Sequence, residues 1–129
     1  ITMRQLLTMS SGLAFSGSFD LHEDNTRKTE SGLLHDHTYV YASGTNAAAF
    51  CLDKTLEHPP GAHGRYRNCD PILAMHALRA ALSRNGDSDF RSWPFRALLN
   101  QIGADGILLE EDPAGLFLIS GHVYGRARD

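Results

Sequence analysis

Lysine is nearly missing from this chain: of 129 residues only Lys28 and Lys54 are lysines, and the remaining cationic side chains are arginines. Cysteine is as sparse. Cys51 and Cys69 allow at most one disulfide, and neither sits in the Cys-x-x-Cys pair of a zinc or thiol-exchange site, so the redox compartment stays open. No apolar run approaches the roughly 20 residues that span a bilayer, so no membrane span is expected. There is no basic excess either. A net charge of -3 and a pI near 6.1 give no electrostatic footprint for nucleic acid. The pairs Arg65/Arg67 and Arg126/Arg128 read as local ion-pair partners rather than a phosphate site. Internal repeats and low-complexity tracts are absent, and the composition is that of one ordinary globular domain.

What is present is mostly helical signal. Thr2 with Gln5 three residues on has capping-box form, Met3, Leu6 and Leu7 share a helical face, and Gly12 is placed to end that helix. From Ser16 to Ser43 the chain is polar and without sustained period, which predicts a long loop with a brief turn or strand near Tyr39–Tyr41. A second helix is expected over Asn46–Leu56, stopped by Pro59-Pro60-Gly61. Asp70 as N-cap, Pro71 at the first helical position and Asn85-Gly86 at the end frame a third. Ser92 caps a fourth that ends at Gly103. The period then changes. Ile107–Leu109 and Leu116–Ile119, separated by Asp112-Pro113-Ala114-Gly115, predict a β-hairpin.

Four groups of residues carry candidate chemistry. Tyr66 and Asn68 lie two apart before a helix start, and in an extended stretch both side chains share one face. Helix dipole and nearby cations, Arg65 and Arg67 among them, are what a phenolate at Tyr66 would require. The alternative is a core tyrosine with its hydroxyl on a backbone carbonyl, and an Asn68 bonded to its own backbone. His35-Asp36-His37, with His22, Glu23 and Asp24 upstream, has two like-facing histidines if extended, but no third ligand at a characteristic spacing, so no metal is expected. Ser10-Ser11-Gly12 lacks a nucleophile-elbow context and reads as a helix stop. Cys69 at a helix N-terminus is either a low-pKa thiol or a small buried hydrophobe, and burial is favoured.

Several segments in order resemble one family. Ile1–Leu13, with its Ser11-Gly12-Leu13 turn, is similar to the helix that follows the nucleophile in the class C β-lactamase, DD-peptidase and esterase group. Pro59-Pro60-Gly61 followed by Tyr66-Arg67-Asn68 looks like that group's Tyr-x-Asn element. Phe95–Gly103, Glu111–Gly115 and Gly121–Asp129 resemble its next helix, hairpin and entry to a further helix.

The resemblance implies a β-lactamase-related serine hydrolase. Acyl transfer would proceed through a serine of a Ser-x-x-Lys helix, with Tyr66 as the catalytic base or proton relay and Asn68 bonding the substrate amide or the catalytic lysine. The motif's middle position is usually small, and Arg67 there bears on substrate size. No Ser-x-x-Lys occurs: Asn25 and Cys51 stand three before the lysines, and neither lysine precedes Thr-Gly. The expectation is therefore an α+β fold in which residues 1–129 are the mostly helical subdomain with one small hairpin, an interior piece lacking catalytic parts at both ends and inactive alone. It would expose an apolar face toward the remainder of the hydrolase domain. Its substrate would be a small ester, amide or β-lactam, with no cofactor, and the resemblance suggests a bacterial periplasmic or secreted protein. A non-catalytic relative serving as a binding or interaction module is the alternative.

Overall fold

Helix α1 (Met3–Leu7) begins with Thr2 and Gln5 capping one another: the Thr2 hydroxyl accepts from the Gln5 N–H, and Gln5 Oε1 accepts from the Thr2 N–H. The structure, a computed structural model, describes residues 1–16, 35–42 and 44–127. Among these residues the order continues with α2 (Asp36–Ala42), α3 (Ala47–Leu52), α4 (Cys69–Arg84), α5 (Trp93–Ala97), a 3-10 turn (Leu99–Ile102), β1 (Leu108–Leu109) and β2 (Val123–Tyr124). The class is α+β with helices predominating.

Gly12 does not end α1. The helix stops at Leu7 with Thr8 as C-cap, and Met9 takes the left-handed backbone, φ 52°. Gly12 has another duty. Its φ is +80°, and a Cβ there would meet the His58 carbonyl oxygen at 2.2 Å, because residues 12–14 pair with 55–58. Only glycine tolerates both conditions.

The region around Tyr39–Tyr41, expected as a turn or strand inside a loop, is the helix α2. Tertiary anchors make it so. Asp36 accepts from the Ser16 N–H at 2.9 Å, the Ser16 hydroxyl accepts from the Asp36 N–H at 3.0 Å, and Lys54 Nζ closes on Asp36 at 2.7 Å. α3 is shorter than its sequence signal, and Asn46 caps it by accepting from the Ala49 N–H. A second carboxylate sits at its start. Asp112 accepts from the N–H groups of Ala47, Ala114 and Leu116, each at 2.9 Å, and so fastens the 112–116 turn to the helix dipole's positive end.

In α4 the N-cap is Asn68 rather than Asp70, and the helix closes at Asn85-Gly86 with Gly86 at φ +82°. Cys69, Ile72 and Leu73 form its buried stripe, spaced three and four apart. Full burial of a residue such as Ile72 is worth about 1.5–3 kcal/mol. Cys69 is tied to Cys51 of α3 by a disulfide with a Cα–Cα distance of 5.3 Å, so it is no thiol, and both residues are fully buried. Leu6, Val40, Ala47, Leu116, Phe117 and Leu118 close over this seam.

The expected single helix Ser92–Gly103 divides into α5 and the 3-10 turn, and the Ser92 hydroxyl engages Asp89 and Arg96 instead of capping. The hairpin is reduced. Glu111 and Phe117 form one bridge across the predicted turn, while β1 takes β2 as its antiparallel partner, with Leu108 opposite Tyr124. Leu116–Leu118 is buried instead, and β2 lies beyond it. Leu98, Ile102, Leu108, Val123 and Tyr124 are exposed. No helix among the described residues is long and apolar enough to cross a membrane.

Candidate functional site

The segment 65–68 is braced from below. The Arg65 N–H donates to the Met9 carbonyl at 2.8 Å, and Arg67 Nε donates to the Leu13 carbonyl at 2.6 Å. Arg67 is fully buried, its guanidinium also donating to the carbonyls of Arg65 and Met9, so it does not enter the surface that Tyr66 faces. Arg65 turns to Glu57 at 3.1 Å and to the Phe15 carbonyl. Arg126 meets Asp105 at 3.5 Å, while its expected companion Arg128 lies outside the described residues. Arg65 and Arg126 are thus ion-pair partners, and Arg67 is a brace.

Tyr66 and Asn68 do not share a face. Tyr66 is 40% exposed and Asn68 is fully buried, because the backbone has already turned helical at Asn68, φ -65° and ψ -24°. The Tyr66 hydroxyl donates to the Ser120 carbonyl at 3.4 Å, a long contact of the kind expected for a structural tyrosine, yet the ring is not core.

Asn68 occupies the N-cap of α4 without using its side chain as a cap. Sequence explains this. The third helical residue is Pro71, which has no N–H to offer, and the Asp70 N–H donates to the Arg67 carbonyl. The amide turns instead to α2, where Nδ2 donates to His37 Nδ1 at 3.0 Å. Its Oδ1 is shielded from water and has no partner, an arrangement that costs about 1–3 kcal/mol.

Around this pair stand further rings. His37 lies near Tyr41, edge-on at 6.0 Å, and near Tyr66, tilted at 6.5 Å. Tyr41 stacks on His122 at 4.4 Å and donates to Ser120 Oγ at 2.6 Å. Its phenol is pushed above the ordinary tyrosine range, chiefly by burial, with nearby Tyr66 adding and the Ser120 bond opposing. Tyr41 therefore holds its proton, and Ser120 Oγ is an acceptor here rather than an activated nucleophile. Gly121 permits the approach, since a Cβ would meet the Tyr41 hydroxyl at 3.0 Å. At the margin Glu110 accepts from the Tyr124 hydroxyl at 3.2 Å, which raises that phenol's pKa, and lies 3.0 Å from His122 Nδ1 without hydrogen-bond geometry.

The metal reading of the histidine segment changes with the fold. His35 precedes α2 and His37 lies in its first turn, so the like-facing strand geometry is lost; His22, Glu23 and Asp24 lie outside the described residues. Among the described residues no three His, Cys, Asp or Glu side chains converge on one point. Ser11 is fully buried, giving its N–H and hydroxyl to Asp70.

Sequence reasoning found Tyr66 and Asn68 but not Tyr41, Ser120 and His122, and it weighed His37 only as a candidate metal ligand, a reading it set aside. No local signal marks them. His37 stands 31 positions from Asn68, and Tyr41 stands 79 from Ser120, so they meet only where α2, the segment before α4 and the turn before β2 come together in the fold. No protein-family model, curated protein or solved structure matches this chain.

Proposed function

We propose that this chain is part of a β-lactamase-related serine hydrolase and supplies its Tyr-x-Asn wall. The observation that carries the reading is the Tyr66-Arg67-Asn68 trio: an exposed phenol on a braced segment, directly before the longest helix, beside a buried amide whose oxygen lacks a donor. The reaction is acyl transfer to a serine and hydrolysis of the acyl-enzyme, on a small ester, amide or β-lactam. Tyr66 relays the proton, and Asn68 accepts from the substrate amide or from a lysine ammonium. With no Ser-x-x-Lys in these 129 residues, serine and lysine belong to the remainder of the hydrolase domain, which packs on the exposed apolar residues Leu98, Ile102, Leu108, Val123 and Tyr124. Arg67 is spent on carbonyls below the surface and does not narrow the substrate space. The buried Cys51–Cys69 bond supports an oxidising compartment such as the periplasm or the exterior.

One observation favours a different reading, a non-catalytic binding module. The Tyr66 hydroxyl rests on a backbone carbonyl, as a structural tyrosine does.

The experiment compares the full-length protein that carries this chain with its Tyr66→Phe variant, using a chromogenic ester, a chromogenic β-lactam and mass-spectrometric detection of acylated serine. Acylation of the wild type and a rate loss of about a hundredfold or more in the variant, the size of a lost general base, support the hydrolase. Absence of turnover and labelling in the wild type supports the module.

A further inference from the structure

The Asn68 side chain is unusual for its place. An asparagine at a helix N-cap ordinarily accepts from the second or third helical N–H, and here Pro71 has removed one of these and Arg67 has taken the other. The amide is left to be oriented by something else. Among the described residues the one group that holds it is His37, whose Nδ1 receives Nδ2 at 3.0 Å. That bond has a direction. A nitrogen that accepts carries no proton, so the imidazole proton sits on Nε2 and the amide is turned with its NH₂ toward His37. Its oxygen is thereby aimed away, buried and without a partner. Were the amide reversed, the same place would offer an N–H and reject a donor.

We propose that His37 is a positioning residue: it fixes the orientation of the Asn68 amide, so that the buried Oδ1 is held as an acceptor and any group that reaches it is selected as an N–H donor, an ammonium or an amide, over an oxygen acceptor. The role rests on the hydrolase reading for its consequence in turnover, but the orientation itself stands on the geometry. Tyr41 and Tyr66 both pack near the imidazole, at 6.0 and 6.5 Å between ring centroids, and restrict the ring. His37 touches no reacting atom. It acts through Asn68.

Two measurements on the full-length protein test this. Long-range proton–nitrogen NMR of histidine-labelled protein at neutral pH reads the tautomer directly. The expected result is the Nε2–H form for His37, with a clear change of its Nδ1 shift in Asn68→Ala. An Nδ1–H tautomer in the wild type, or no response to Asn68→Ala, overturns the proposal.

The second measurement is the rate of serine acylation by a fluorophosphonate and by a chromogenic amide in a double-mutant cycle. His37→Phe is expected to slow the amide roughly tenfold, a loss on the scale of one contact coupling, and to add little to the loss in Asn68→Ala. His37→Gln, whose side-chain oxygen accepts from Nδ2, restores most of that rate. Losses that simply add, or a Gln variant no better than Phe, overturn the positioning role. If the wild type acylates with neither reagent, the hydrolase reading fails, and the tautomer measurement still decides the orientation.

Discussion

Ser11 gives both its N–H and its hydroxyl to the carboxylate of Asp70, 59 positions further along the chain. The contact clamps the turn after α1 to the first turn of α4, beneath Tyr66 and Asn68. Both residues are fully buried. Burial raises the Asp70 pKa above its ordinary value, against the Ser11 bonds and nearby Arg67, which lower it.

A pH dependence follows. With the folded pKa above the unfolded one, the folded state binds more protons between the two, so the contribution of Asp70 to stability falls as pH rises through that window. The stabilisation is fully present below the unfolded value of about 3.9 and lost above the raised folded value. Other carboxylates, such as Asp87 and Asp89, are shifted downward and slope the opposite way. The measurement is therefore a difference. The melting temperature of the wild type minus that of Asp70→Asn, followed from pH 3.5 to 7, is expected to decline with rising pH, and a flat or rising difference refutes it.

Removing the disulfide with Cys51→Ala/Cys69→Ala releases a closed loop with a sequence separation of 18. Loop entropy of that size is worth about 3 kcal/mol, or on the order of 10 °C in melting temperature for a domain of this length. Calorimetry of the pair variant, against wild type with and without reductant, checks it. Unreduced wild type and the variant melting together would remove the disulfide from the account.

Gly12→Ala places a methyl group against the His58 carbonyl in a left-handed backbone. The cost is expected to exceed about 2 kcal/mol, read as a lowered denaturant midpoint. Gly44→Ala is the control: it shares the positive φ, 66°, but among the described residues nothing lies within 4 Å of its added carbon. The strain common to both should cancel, leaving the clash.

Legibility in the sequence followed the range of the interactions. The Thr2/Gln5 cap and the Asn85-Gly86 stop are local and were readable as such. α2 was not, because what makes it helical is Asp36 bonded to Ser16 and Lys54, and no periodicity records that. Gly12 was visible as a special glycine but assigned the wrong task, since the His58 carbonyl that requires it is 46 positions away. In the site, Tyr66 and Asn68 stood out by motif, while the bond between His37 and Asn68 joins residues 31 positions apart and depends on where the fold sets α2 against the segment before α4.

The inward turn of Arg67 keeps its guanidinium off the surface of the wall. Its cation is consumed by main-chain oxygens before reaching the surface, and what remains facing outward is phenol and imidazole. A visitor to this face meets ring edges and faces first, and the charge it senses is the Glu110 carboxylate at the margin rather than the Arg67 cation.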